Sequence, residues 1–316
     1  MSSKMPPLSS YNTPQITNTF SIVARDKETG LMGVAVQSHY FSVGITVPWA
    51  ETGVGAVATQ AYGGVDFGPI ILSLLKDGHS ANTVMEKILK TATRTQFRQI
   101  AIVDSKGEIA AFTGMSCTPE AGHSIGEAVS SQGNVMINKL VWPAIKNGYV
   151  SSKGNFAERL VNGLEAGQKI GGDLRGQQSA AILIVSKERY SNPFKGLVMD
   201  LRVEDHPAPI TELKRLLPLH AAHQLLNQAR LLIIDSDFAK VITVMEQAVS
   251  LAPEKIEHKF YLALGLYGNG DKKQGLILFK EIFTKEPQWL KLIPRLASRS
   301  KMNANSISEI MAQGTT

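Results

Sequence analysis

The sequence predicts an α+β domain followed by an all-α module. Three observations carry this. Between residues 19 and 203, short β-patterned runs pair as hairpins and alternate with pairs of helices. After Asp205 the β pattern ends. In the helical remainder, Pro253 and Pro287 stand 34 positions apart (287 − 253), the period of a tetratricopeptide repeat.

Each element has a local reason. Over 19–26, Phe20, Ile22 and Ala24 fall on one face of a strand, and Ser21, Val23 and Arg25 on the other. A turn over 26–30 ends in Gly30, and 31–38 reads as the returning strand. Residues 43–50 and 53–60 are two further β-rich runs. A helix over 67–76 stops at Gly78, and Ser80 caps the next, which carries Val84, Ile88 and Leu89. The turn Asp104-Ser105-Lys106-Gly107 joins 97–103 to 108–113 as a hairpin. One β segment is expected over 124–135, then helices over 140–146 and 156–169, the second stopped by Gly171-Gly172. Strands over 179–185 and 197–203 close the domain. Hairpin pairing argues for α+β layers over a parallel sheet with single crossover helices.

Beyond Asp205, 210–217 reads as a short helix interrupted by Pro218. Aligned on the two prolines, Ala229 matches Ala263, Met245 matches Phe279 and Ala248 matches Ile282. Four helices are expected, over 222–234, 238–250, 257–267 and 272–284. The domain plan is a loose tail over 1–18, an α+β domain over 19–220 and a helical domain over 221–316.

Hydrophobic residues make up 43% of the 316, enough for a sizeable core, and the length suits two domains. The net charge of +6 is spread out, with no Lys/Arg stripe interleaved with aromatics, so nucleic acid is not an expected partner. No apolar run approaches a membrane span, and residues 1–18 lack the apolar stretch of a secretory signal. The single Cys117 cannot form an internal disulfide. These features suit a cytoplasmic protein. No Cys/His spacing suggests zinc, and no glycine pattern suggests a nucleotide, so no metal or cofactor is expected.

Several stretches occur together and in order. They include Thr-Phe-Ser-Ile-Val-Ala-Arg-Asp at 19–26, Gly-Val-Ala-Val-Gln-Ser-His at 33–39 and Gly-Val-Gly-Ala-Val-Ala-Thr-Gln at 53–60. Pro-Glu-Ala-Gly-His at 119–123, Gly-Gly-Asp-Leu-Arg-Gly-Gln-Gln-Ser-Ala-Ala at 171–181 and Asp-Leu-Arg-Val-Glu-Asp-His-Pro at 200–207 follow. Over 19–220 the chain resembles domain-of-unknown-function family 1028, placed in the Ntn-hydrolase superfamily. The resemblance implies a four-layer αββα sandwich, a homo-oligomer, and Thr19 in the position of an N-terminal nucleophile. In that chemistry one residue supplies both hydroxyl and α-amine, and the amine, titrating near about 7.7–8.0, takes the hydroxyl proton.

This chain departs from the pattern, because 18 residues precede Thr19. While the bond to Asn18 is intact, the nitrogen is an amide and cannot act as a base. Candidate donors to an oxyanion, or to substrate, are Ser38, Thr59, Gln60 and Asn134, with Gln60 and Asn134 the preferred pair. His39 is placed at the cleft. Asp173 and Arg175 lie in a Gly-rich loop, where Arg175 would clamp a substrate carboxylate or pair locally with Asp173. Two functions follow. One is a hydrolase of a small amide or related C–N bond, once processed at Thr19. The other is a non-catalytic scaffold whose helical module docks a protein partner.

Overall fold

The computed structural model describes residues 16–62, 67–296 and 303–314. The chain divides into two compact units, Met1–Lys214 and Arg215–Thr316.

In the first unit, β1 (Ile16–Thr17) leads through Asn18 into β2 (Thr19–Arg25), which turns back as β3 (Met32–Ser38). Strands β4 (Pro48–Glu51) and β5 (Gly55–Tyr62) follow, then helices α1 (Phe67–Lys76) and α2 (Ala81–Thr91). Ser80 caps α2 by accepting from the Thr83 amide. Next come β6 (Arg98–Asp104), β7 (Ile109–Thr113), β8 (Gly122–Gly126) and β9 (Val129–Gly133). Helices α3 (Val141–Ser151) and α4 (Phe156–Lys169) precede β10 (Ser179–Val185) and β11 (Leu197–Val203).

The strands form two antiparallel sheets. One runs β1-β5-β6-β7, with β4 also beside β5; the other runs β11-β10-β3-β2-β9-β8. Helices α1 and α2 pack on the first, and α3 and α4 on the second. Val23, Val34, Val36, Ala56, Ala58 and Val103 form an aliphatic core between the sheets. This is the αββα order that the family resemblance implies. Both faces of the second sheet are covered, so β2 and β3 are buried almost throughout.

Three local expectations change. Residues 43–45 form a 3-10 turn instead of a strand: Ser42 takes φ 58°, and the chain folds back before Pro48. The β segment over 124–135 is a hairpin, β8–β9, whose turn holds Ala128 at φ 54°. Helix α3 continues past 146 to Ser151, because Gly148 lies against α4, where a Cβ would come within 2.5 Å of the Ala166 Cβ.

Helix α5 (Pro209–Ile234) runs unbroken past Pro218. Buried Leu213 and Leu217 before it, and Ala222, Leu226 and Ala229 after it, hold both turns helical. Their burial offsets the roughly 3 kcal/mol of an interior proline.

In the second unit, α6 (Phe238–Leu251), α7 (Ile256–Gly268) and α8 (Lys272–Lys285) follow. The structure repeats at the sequence period. Ser236 and Gly270 are both left-handed, 34 residues apart (270 − 236). Asp237 and Asp271 then cap α6 and α8, accepting from the Lys240 and Gln274 amides. The matched pairs Ala229 and Ala263, Met245 and Phe279, and Ala248 and Ile282 are all fully buried. After a 3-10 turn at Pro287–Leu292, α9 (Ile293–Leu296) and α10 (Ala304–Met311) close the described chain.

Of the expected loose tail, 1–15 lies outside the described residues. Ile16–Thr17 is a paired strand, with Ile16 opposite Tyr62 and Thr17 opposite Ala61.

Candidate active site

Thr19 opens β2, a central strand with β3 on one side and β9 on the other. It stands opposite Ser38, so both side chains share a face. Thr19 is fully buried, and its Oγ1 has no hydrogen-bond partner. A hydroxyl in that condition forfeits about 1–3 kcal/mol, so its retention calls for an explanation.

The residue before it is gripped. The Asn18 carbonyl oxygen accepts from Ser38 Oγ at 2.6 Å and from Arg175 Nη2 at 2.6 Å. Arg175 is itself held in place: its Nε and Nη2 donate to Asp173 Oδ1 and Oδ2 at 3.0 and 2.7 Å. The Asp173 side chain is wholly buried and also accepts from the Arg175 and His39 amides. The ion pair is therefore an aimed fork with one N–H spent on the chain.

The Thr19 carbonyl is anchored separately. It accepts from Gln60 Nε2 at 3.2 Å and from the Asn134 amide at 3.0 Å. Gln60 Nε2 also donates to Gln99 Oε1 at 2.7 Å, and Gln60 Oε1 accepts from Ser21 Oγ at 2.6 Å. Asn134 Nδ2 donates to the same Gln99 oxygen at 3.0 Å. Gln132 Nε2 donates to Ser21 Oγ at 2.6 Å. On its other side, Gln99 Nε2 reaches Thr113 Oγ1 at 3.0 Å, and Thr113 Oγ1 meets His123 Nδ1 at 2.8 Å. A buried polar network thus runs between the sheets from Thr19 to His123. Burial pulls the His123 imidazole below its ordinary value, which favours its neutral form.

Two backbone positions flanking this site are strained. Ala61, opposite Thr17, has φ 62°, and Val135, just after Asn134, has φ 61°. A β-branched residue in the left-handed region is uncommon, and such strain gathers where structure serves chemistry.

The expected site residues separate as follows. Thr19, Ser38, Asp173 and Arg175 meet at the Asn18–Thr19 bond. Gln60 and Asn134 come close, but they hold the Thr19 carbonyl, and both Gln60 N–H groups are spent. Thr59 is turned away: its Oγ1 accepts from Trp49 Nε1 at 3.1 Å. Adjacent strand residues point to opposite faces, so Thr59 and Gln60 cannot share a site. The His39 side chain is exposed, and only its amide joins the site. Gln99, Gln132 and Ser21 join the site without any motif that marks them. They lie on strands at buried positions, a burial that the sequence does not display. Burial pushes the Cys117 thiol up, away from reactivity. Among the described residues, no group of three or more His, Cys, Asp or Glu side chains could hold a metal ion.

The arrangement defines an αββα protein with a buried threonine at the head of a central strand and its preceding carbonyl polarised by two donors. Residues 19–213 match the model of a family of unknown function, DUF1028, and the chain belongs to that family. Protein SPO2555 from Silicibacter pomeroyi, described with the same family model, is 30% identical with a TM-score of 0.57; the match covers 63% of this chain and 84% of that one. Anbu (ancestral beta-subunit) from Yersinia bercovieri is 14% identical with a TM-score of 0.33, over 62% of this chain and 92% of that one. That weaker likeness carries no weight here. No curated protein matches the sequence.

Proposed function

We propose that this chain is the precursor of an N-terminal-nucleophile hydrolase of a small amide or related C–N bond, with Thr19 as nucleophile. The observation that carries the reading is the Asn18 carbonyl, held by Ser38 Oγ and Arg175 Nη2 beside the partnerless Thr19 hydroxyl. Thr19 Oγ1 is linked to that carbonyl carbon through Cβ, Cα and N, so its attack closes a five-membered ring. Negative charge then develops on the Asn18 oxygen, where two donors already point. The C–N bond breaks, the hydroxyl proton passes to the departing nitrogen, and an ester joins Asn18 to Thr19. Water hydrolyses the ester. The tail leaves as a carboxylate, and Thr19 keeps a free hydroxyl and a free amine.

The amine then serves as base for the same hydroxyl. Gln60 and the Asn134 amide keep the Thr19 backbone in place when the tail has gone. In this reading the helical module, of tetratricopeptide type, docks a protein partner. The enzyme works without a cofactor, as a cytoplasmic homo-oligomer.

The test is hydrolysis of a panel of acyl and peptidyl anilides. The chain beginning at Thr19 is expected to be active, with some activity kept in Thr19→Ser and none in Thr19→Ala. Equal activity in an uncut chain, or activity indifferent to Thr19→Ala, would overturn the proposal.

A further inference from the structure

The segment that fills the site has the form of a ligand. Ile16 and Thr17 lie antiparallel along β5, opposite Tyr62 and Ala61. Strand β4 occupies the same edge of β5 further along, over Gly55–Ala58. Beyond it, β1 is what completes the ladder. Asn18 then leaves the first sheet and delivers its carbonyl to Ser38 and Arg175. Each side chain of the segment sits differently: Thr17 is 1% exposed, Asn18 is half-buried and Ile16 is 57% exposed.

The β5 edge is fixed independently of its occupant. Arg98 Nη1 donates to the Tyr62 carbonyl at 2.9 Å, and Arg94 Nη1 to the Tyr62 hydroxyl at 2.6 Å. When residues 1–18 depart, Ala61 and Tyr62 are left with an unpaired strand edge, the Thr17 pocket opens, and two donors lose their acceptor. An unpaired edge beside a side-chain pocket is a template for an extended chain, with main-chain bonds giving affinity and the pocket giving selectivity.

We infer that the processed site takes an extended peptide on the acyl side of the scissile bond, bound as a strand on β5. A small β-branched or hydroxyl residue fills the Thr17 position, and the acyl carbonyl sits between Ser38 and Arg175. This names the substrate class for the hydrolase reading and rests on it. The Ile16 position faces solvent and selects little.

The experiment uses residues 9–18 as a peptide with an N-terminal fluorescein, titrated by anisotropy against the chain beginning at Thr19. Saturable binding is expected. Thr17→Arg in the peptide should weaken it by about tenfold or more, and Ile16→Arg by only about threefold, differences of roughly 1.4 and 0.6 kcal/mol. The uncut chain should not bind, because its own segment fills the slot. No binding to the folded chain, or equal binding of the Thr17→Arg peptide, overturns the inference.

If the shortened chain does not fold, the full-length chain bearing Thr17→Arg carries the test. Hydrogen exchange over 61–62 should rise there and stay protected with Ile16→Arg; unchanged exchange in Thr17→Arg overturns the inference. The two readings fail differently. A chain that cleaves simple anilides but does not bind this peptide refutes the peptide slot and leaves the hydrolase standing. A chain that binds the peptide but cleaves no amide refutes the hydrolase and leaves the slot standing.

Discussion

The space between the two sheets has two halves of opposite chemistry, lined by the same strands. Toward one end, β2 contributes Val23 to a cluster with Val34, Val36, Ala56 and Val103. Toward the other, the same face of β2 carries Thr19 and Ser21, which meet Gln60 and Gln132, and Gln60 in turn meets Gln99. The aliphatic half needs only shape and burial to stabilise the sandwich. The polar half has to pair its buried amides at a cost, and Thr19 Oγ1 and Asn134 Oδ1 stay without partners. The difference teaches that the aliphatic end holds the layers together by shape, while the polar end depends on paired hydrogen bonds and still leaves the Thr19 hydroxyl without a partner.

The contrast can be broken most severely at the aliphatic end. Val34→Asp places an unpaired carboxylate in a fully buried apolar cluster. Several kcal/mol are lost, and the variant should yield no cooperative unfolding transition by circular dichroism.

At the polar end, Gln99→Leu keeps the volume but removes the acceptor shared by Gln60 and Asn134. Two buried donors are orphaned, at about 1–3 kcal/mol each, and denaturant titration should find a loss of about 2 kcal/mol or more. Substitution by a better hydrophobe that destabilises is the signature of a satisfied network.

Ser38→Ala is milder. Arg175 still holds the Asn18 carbonyl, so stability should fall by about 1 kcal/mol. Release of the tail, in contrast, should slow by about tenfold or more, because one donor to the developing charge is lost. A stability loss with no change in processing would make Ser38 a structural residue.

The smallest effect lies at the far end of the network. Burial holds the folded His123 below its ordinary value of 6.5. Above that value neither state is protonated there, and His123 contributes no pH dependence. As pH falls through it the unfolded chain takes the proton first, so stability drops until the pH reaches the folded value. Tm measured from about pH 8 to pH 5 should therefore fall less in His123→Gln than in the parent chain.

Much of this was legible in the sequence, for reasons that particular residues show. The hairpin of β2 and β3 and the cap at Ser80 follow from local rules. The 34-residue echo follows from repeated turns, each with a left-handed residue and a capping Asp. The sequence misleads where tertiary contact outweighs local signal. The helix expected over 140–146 runs on to Ser151, with Gly148 closely packed against Ala166. Ala128 gave no sign of the β8–β9 turn, because it is not a residue that favours the conformation it adopts. Thr19, Ser38, Asp173 and Arg175 stand out by the family resemblance and by residue chemistry. Their convergence on one carbonyl was not legible, since it depends on β2, β3 and the loop after α4 meeting in space. Gln99 is not legible, because a glutamine in a strand looks the same whether it faces solvent or joins a buried network.

The most direct test is the intact mass of the purified protein followed over time. The prediction is loss of residues 1–18, leaving a chain that begins at Thr19. Release should be abolished in Thr19→Ala and slowed in both Ser38→Ala and Arg175→Ala. A parent chain that keeps its full mass indefinitely, or a Thr19→Ala variant cut at the same bond, would contradict the claim that the gripped Asn18 carbonyl is the site of processing.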